Sequence, residues 1–192
     1  MVVVERPTTR RVLLSLLTVL GLYALLLPAW WGSKTTYARA AANVASVTFP
    51  LIGVDGGVTA QPGRWTTLAY TLRYPPTGGF GQCRQRFLDF ADLPLALALA
   101  LGLAVLGFKR RLLVAGLSAL AVFLCHVVLI DYTAVRLAGI LNNPANTPES
   151  LDQLLHETAK HTTGFGNNSV VVVLVIVGAL TAWQAARSGN RT

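Results

Sequence analysis

The sequence predicts a mainly α-helical, polytopic membrane protein. The expected architecture is a bundle of about four transmembrane helices, with a small extracytoplasmic helix and a β-hairpin. Apolar residue types make up 53% of the 192 residues and charged types only 12%, which is about half the charged fraction of a soluble domain. The charges cluster at the ends of long apolar runs, as they do in membrane proteins. This composition excludes a disordered chain and an ordinary cytosolic enzyme, and we expect one integral membrane domain over residues 1–192.

Four apolar runs are the predicted transmembrane helices, at residues 12–31, 93–108, 112–130 and 165–183. The first run carries no charge and is long enough to cross about 30 Å of hydrocarbon. It begins after basic residues, as a signal peptide does, but the segment from Pro28 to Trp31 lacks a small-x-small cleavage pattern. We therefore expect a retained span.

Basic residues predict which ends of these spans are cytoplasmic. The net charge is +8, and the bases concentrate in short segments beside the spans: Arg6, Arg10 and Arg11, then Lys109, Arg110 and Arg111, then Arg187 and Arg191. Such clusters mark the cytoplasmic side. The sequence thus predicts a plasma-membrane protein with both termini in the cytoplasm, its loops 32–92 and 131–164 outside, and membrane lipids around it. Nucleic acid is not an expected partner, because no basic stretch is interleaved with aromatic residues.

The two outer loops contain recognisable elements. Residues 35–48 have the periodicity of a weakly amphipathic helix, which we expect to lie along the membrane interface. Residues 58–60 and 65–74 predict a β-hairpin that turns near residues 61–64. In the second loop, helix is expected to continue through Leu141, and residues 147–149 predict the start of a further helix.

Cys83 is the candidate nucleophile. We expect it at the outer start of the second span, where the charge of Arg84 and the helix amides would favour its thiolate. The alternative is a small apolar residue at a helix start.

Arg136 and the histidines supply candidate partners. The Arg136 guanidinium could lie over an oxyanion, or it could be an interfacial arginine. His161 lies just before the fourth span, and Glu157 is one helical turn earlier and could orient it. His156 and His161 are five residues apart, too far around a helix to share a metal ion, so no metal is expected. A histidine inside a span, such as His126, is either functional or hydrogen-bonded between helices.

The order Cys83, Arg136, His161 resembles the exosortase/archaeosortase family of membrane cysteine transpeptidases. The resemblance covers about residues 35–183. Its motifs are Gly81-Gln82-Cys83, then Thr133-Ala134-Val135-Arg136-Leu137, then His161-Thr162-Thr163-Gly164-Phe165, with spans and a basic turn between them. The chain departs from the family pattern in having Arg84-Gln85 where members have Ser-Gly, Thr133 where the Arg motif has Asn, and fewer spans.

The resemblance implies a protein-sorting reaction at the C-terminal signals of exported proteins. Cys83 would attack the scissile carbonyl, His161 would act as base and then acid, and Arg136 would stabilise the oxyanion. Thr133, Glu157, Arg84 and His126 would support these groups, with His156 or His126 as alternative bases. A lipid or glycan would be the acceptor, and no cofactor is implied.

A non-catalytic class explains the composition equally well. A small membrane scaffold or accessory subunit would bind a partner through its extracytoplasmic part and would need no cysteine chemistry. A transporter fits less well, because the spans contain almost no paired charge and no pair of broken helices.

Overall fold

The chain is mostly helical in a computed structural model, with two long apolar helices and a small three-stranded sheet. The structure describes residues 9–63, 66–74, 79–86, 92–102 and 108–142. The helices are α1 (Thr9–Thr48), α2 (Asp92–Gly102) and α3 (Phe108–Leu141), and the strands are β1 (Gly56–Gln61), β2 (Thr67–Tyr74) and β3 (Gly79–Arg86).

Helix α1 contains both the predicted first span and the predicted helix at 35–48. The structure corrects the sequence prediction here, because the two segments are one uninterrupted helix of 40 residues. Pro28 lies inside it. Proline removes one backbone hydrogen bond from a helix, but the preceding and following turns can retain theirs. The polar residues after Trp31 mark the end of the apolar run and leave the helix itself intact.

The second half of α1 buries a stripe of small residues: Ala38, Ala41, Ala42 and Ala45 are all fully buried. Their spacing places them on one face of the helix. A short 3₁₀ turn, Phe49–Ile52, follows α1 and ends at Gly53, whose φ of 74° is in the left-handed region. Gly53 donates its N–H to the carbonyls of Phe49 and Pro50, which closes the helix end.

The sheet is an antiparallel meander in the order β1-β2-β3. β1 and β2 form the predicted hairpin, with Gln61 paired to Thr67. The sequence analysis missed β3, because it expected Cys83 at the outer start of the second span. Ser46 of α1 bonds to the backbone N–H and carbonyl of Val58, at 3.0 Å and 3.1 Å, so the sheet is attached directly to α1.

Helix α3 covers the whole predicted third span and ends at Leu141, as the sequence predicts. α2 covers the first part of the predicted second span, up to Gly102. The predicted fourth span at 165–183 and the predicted helix start at 147–149 lie outside the described residues.

The described residues belong to two compact units. The helical unit contains α1 up to Trp30, α2, and α3 up to Val122, and its buried cluster is Ala96, Ala100, Val114, Ala115 and Val122. The sheet unit contains the rest of α1, the three strands and the rest of α3. Its largest fully buried side chains include Tyr70, Phe49, Leu72 and Leu137.

Helices α1 and α3 are each long and apolar enough to cross a membrane. Only 6% of the apolar window of α1 and 39% of that of α3 are buried by the described residues, so most of their apolar side chains need another apolar environment. Leu13, Leu16, Leu17 and Leu20 are each more than half exposed. By length and composition, the two helices indicate membrane association.

Candidate functional site

Cys83 lies in the middle of β3, on the face of the sheet that packs against the core. Gly81, Cys83 and Gln85 are half-buried, whereas Gln82 and Arg84 between them are exposed. This alternation is the period of two that a strand imposes on its side chains. The sequence analysis expected Cys83 at a helix start with Arg84 beside it. The structure corrects both points: Cys83 is in a strand, and Arg84 is on the opposite face of that strand.

Tyr70 on the central strand is the cross-strand partner of Cys83. It is fully buried, and its hydroxyl group donates to Oε1 of Gln85 over 3.3 Å. Burial raises the pKa of Tyr70 well above its usual range, and the charges of Cys83 and Asp131 add to this effect, while the polar side chain of Thr133 opposes it. The phenol therefore keeps its proton at any physiological pH.

Thr133 lies on the buried face of helix α3. It is 1% exposed, and its hydroxyl donates to the carbonyl of Leu129 over 2.8 Å. Its neighbours Ile130, Ala134 and Leu137 are buried in the core of the sheet unit. Tyr70 therefore pairs with the strand that carries Cys83 and belongs to the same buried cluster as these residues of α3.

Arg136 is three residues after Thr133 on the same helix and is exposed. Three residues of α-helix place it about 60° around the axis and about 4.5 Å farther along it. Its side chain thus leaves α3 beside the buried face that includes Thr133. The sequence analysis also placed Arg136 beyond the apolar part of α3.

Asp131 makes a second polar contact near the same end of α3. The Thr48 hydroxyl lies 2.9 Å from each carboxylate oxygen of Asp131, and it also lies 2.8 Å from the carbonyl of Ala45. The sequence analysis assigned no role to Tyr70, Gln85, Thr48 or Asp131. The strand alternation of residues 65–74 was a signal for Tyr70, because it groups Tyr70 with Leu68 and Leu72.

His126 is buried, at 6% exposure. Its Nδ1 lies 2.7 Å from the hydroxyl oxygen of Tyr37 on α1, and the two rings meet edge to face at 5.7 Å. Of the two possibilities that the sequence left open, the structure has the hydrogen bond between helices. His126 precedes Thr133 by two helical turns, about 10 Å along α3.

The remaining predicted site residues, His156, Glu157 and His161, lie outside the described residues. Within the described parts of the chain, no group of three or more His, Cys, Asp or Glu side chains could hold a metal ion. Comparisons with protein-family models, with curated proteins and with solved structures found no match.

Proposed function

We propose that this chain is a membrane cysteine transpeptidase, similar to the exosortases and archaeosortases, with Cys83 as its nucleophile and Arg136 and His161 as its partners. One observation carries the proposal. Cys83 packs against the buried cluster of the sheet unit that contains Ile130, Ala134 and Leu137 of α3, the helix that carries Arg136. The strand with the cysteine and the helix with the arginine motif therefore share one core.

The proposed reaction has two steps at Cys83. The thiolate attacks the scissile carbonyl of the substrate, and Arg136 stabilises the negative charge on the carbonyl oxygen. The C–N bond then breaks, His161 gives a proton to the leaving amine, and a thioester remains. In the second step an acceptor hydroxyl or amine of a lipid or glycan attacks the thioester, His161 removes its proton, and Cys83 is released as thiolate.

The proposed substrates are exported proteins with a C-terminal transmembrane sorting signal. Such a signal has an apolar helix followed by a basic tail. The apolar helix suits a site beside the apolar helices of this chain, and the basic tail would stop at the cytoplasmic surface. The large exposed apolar area of α1 and α3 gives such a helix a surface to contact.

The proposed topology has four spans, with both termini in the cytoplasm and Cys83 outside. Two contacts within the sheet unit support this arrangement: Tyr37 with His126, and Thr48 with Asp131. Tyr37 precedes Thr48 in α1, and their partners His126 and Asp131 follow each other in the same order in α3. The two helix segments therefore run in the same direction. A chain that crosses twice in one direction has to return between the crossings, which the predicted span at 93–108 would do.

A scaffold without catalysis is the second candidate, and the surroundings of Cys83 favour it. Cys83 packs against the buried apolar cluster of the sheet unit, where a cysteine can serve as a small apolar residue. This candidate predicts a thiol of ordinary reactivity. The transpeptidase predicts an activated thiol.

The test compares the two cysteines of the chain, Cys83 and Cys125. Cys125→Ala leaves Cys83 as the sole thiol and Cys83→Ala leaves Cys125, so the two variants are matched controls. Alkylation by a small uncharged reagent is measured against pH on the full chain in membranes. The transpeptidase predicts that Cys83 reacts much faster at pH 7, with a profile centred below the ordinary thiol pKa of about 8.5. A profile centred at the ordinary value would support the scaffold.

A further inference from the structure

We infer that the substrate of the proposed reaction docks as an extended peptide along the outer edge of β3, where it adds a fourth strand to the sheet beside Cys83. This inference rests on the proposed function, because it concerns the segment of the substrate that meets the nucleophile. An extended segment cannot lie in lipid, where its backbone groups would have no partners. The docked segment is therefore the part of the substrate next to its apolar helix, outside the membrane.

The sheet has two outer edges, and α1 closes one of them. The strand order is β1-β2-β3, so the outer edges belong to β1 and β3. On β1, the Ser46 hydroxyl accepts from the N–H of Val58 at 3.0 Å and donates to its carbonyl at 3.1 Å. Within the described parts of the chain, β3 pairs with β2 alone. The outer edge of β3 is thus a template on which a further strand can pair.

The register shows which way the backbone of Cys83 points. Since the N–H and carbonyl of Val58 point to α1, the backbone groups of its partner on β2, Tyr70, point to the other side, toward β3 and Cys83. The bond from the N–H of Arg73 to the carbonyl of Asp55, at 2.8 Å, has the same alternation. The backbone groups of Cys83 are therefore directed to β2.

The neighbours of Cys83 point to the open edge instead. Backbone groups alternate along an antiparallel strand, so the N–H and carbonyl groups of Gln82 and Arg84 face away from β2. A peptide that lies antiparallel to β3 would bond with these two residues, and its central residue would lie opposite Cys83, about 4.5 Å away between Cα atoms. Their side chains would share a face, which places the thiol beside the peptide backbone.

Side chains of the sheet unit favour a particular kind of peptide. Arg84 is exposed on the outer face, and a carboxylate on the peptide residue opposite it would complement its charge. On the core face, both Cδ atoms of Leu141 would lie 3.3 Å from a Cβ at Gly81, so an apolar residue suits the position opposite Gly81. The site therefore fits a peptide with an acidic residue just before the central residue and an apolar residue two positions after it.

The experiment measures peptide capture by disulfide exchange in the full chain carrying Cys125→Ala. The probe is the capped peptide Thr-Glu-Cys-Thr-Val as its mixed disulfide with glutathione. The Cys83 thiolate attacks the peptide sulfur and glutathione leaves as a thiol, so the equilibrium yield of captured peptide reports docking. N-methylation of the two residues beside the peptide cysteine removes the N–H groups that would bond to Gln82 and Arg84, and it should weaken capture about tenfold.

The matched control peptide is N-methylated two residues from its cysteine on each side. Those N–H groups would point away from β3, so this peptide should be captured as well as the probe. Because Cys83 is the same thiol in all three measurements, its own acidity cancels in the ratios of capture.

Gln82→Pro tests the same contact from the protein side. Proline lacks the N–H that points to the open edge, and the bonds to β2 do not need that group. Gly81 before it has no Cβ to clash with the proline ring. Gln82→Pro should weaken capture of the probe about as much as N-methylation does, whereas Gln82→Ala, the matched control, should leave it unchanged. Should Gln82→Pro fail to fold, the three peptides decide the test on the parent.

A charge exchange tests the predicted acidic position. Replacing the glutamate of the probe by lysine should weaken its capture about threefold in the parent. The same replacement should have no effect in Arg84→Gln. An equal effect in both proteins would overturn the part given to Arg84.

The outcomes separate this inference from the proposed function. Equal capture of the three peptides, or capture of none, would overturn strand addition, as it would if another segment of this chain covered the edge, and the nucleophile would still be judged by its alkylation profile. The predicted ratios together with an ordinary alkylation profile would overturn the transpeptidase and keep the edge of β3 as a peptide-binding surface.

Discussion

The hydrogen bond between Tyr37 and His126 shows how single residues hold the two long helices together. Both side chains are at least partly buried, and the Tyr37 ring also meets Phe123 edge to face at 5.6 Å. The sequence could indicate that His126 needs a partner, because an intramembrane histidine is costly to leave unsatisfied. It could not indicate which residue, because Tyr37 is 89 positions away in the chain.

Tyr37→Phe should lower the free energy of unfolding by about 1 kcal/mol, because it leaves the buried imidazole nitrogen without its hydrogen bond. Thermal unfolding in detergent measures the change. Tyr132→Phe is the matched control, since Tyr132 is on the same helix as His126 and is 48% exposed; its effect should be within about 0.5 kcal/mol. Equal stability of the two variants would contradict the role given to this hydrogen bond.

Individual elements show where sequence patterns succeed and where they fail. The hairpin was predictable because residues 67–72 alternate and a Pro-Gly pair precedes them. β3 was not, because Gly79 and Gly81 have low strand propensity; pairing with β2 decides its structure. The end of α3 at Leu141 was predictable from the following Asn-Asn-Pro. The continuity of α1 was not, because hydropathy marks where an apolar run ends and not where a helix ends.

Two glycines give a test at the scale of the sheet. Both Gly56 and Gly53 have positive φ, 153° and 74°. A Cβ on Gly56 would clash with the Thr71 carbonyl oxygen and lie 2.9 Å from the Leu72 Cα, whereas a Cβ on Gly53 would meet nothing within 4 Å.

Gly56→Ala should therefore destabilise the protein by about 3 kcal/mol, through the clash together with the backbone strain. Gly53→Ala has the strain alone and should cost about 1 kcal/mol. Chemical or thermal unfolding of the two variants gives the comparison. A larger destabilisation by Gly53→Ala than by Gly56→Ala would contradict the close approach of β1 and β2 at Gly56.

At the scale of the whole molecule, composition indicated the apolar helices. Composition could not indicate the contacts that bring Cys83 to α3. Charge placement suggested which segments are cytoplasmic, and this remains a prediction that can be tested directly. Gln61 is at the exposed end of the hairpin, and Phe108 begins α3 next to the basic segment and is 72% exposed. The proposed topology places these two positions on opposite sides of the membrane.

Single cysteines at these positions, Gln61→Cys and Phe108→Cys in a Cys83→Ala, Cys125→Ala background, should label differently. A membrane-impermeant maleimide on intact cells should label position 61, and should label position 108 only after the membrane is permeabilised. The reversed pattern would invert the topology and put Cys83 in the cytoplasm. Labelling of both positions on intact cells would contradict a membrane crossing between them.

The central claim is that Cys83 is activated by a histidine of this chain, and the chain has only 3 histidines. The most direct measurement is therefore the alkylation profile of Cys83, in the Cys125→Ala background, with His126→Ala, His156→Ala and His161→Ala introduced one at a time. We predict that His161→Ala moves the profile up to the ordinary thiol range near about 8.5, while His156→Ala and His126→Ala leave it in place. A profile that none of the three substitutions changes would contradict the claim.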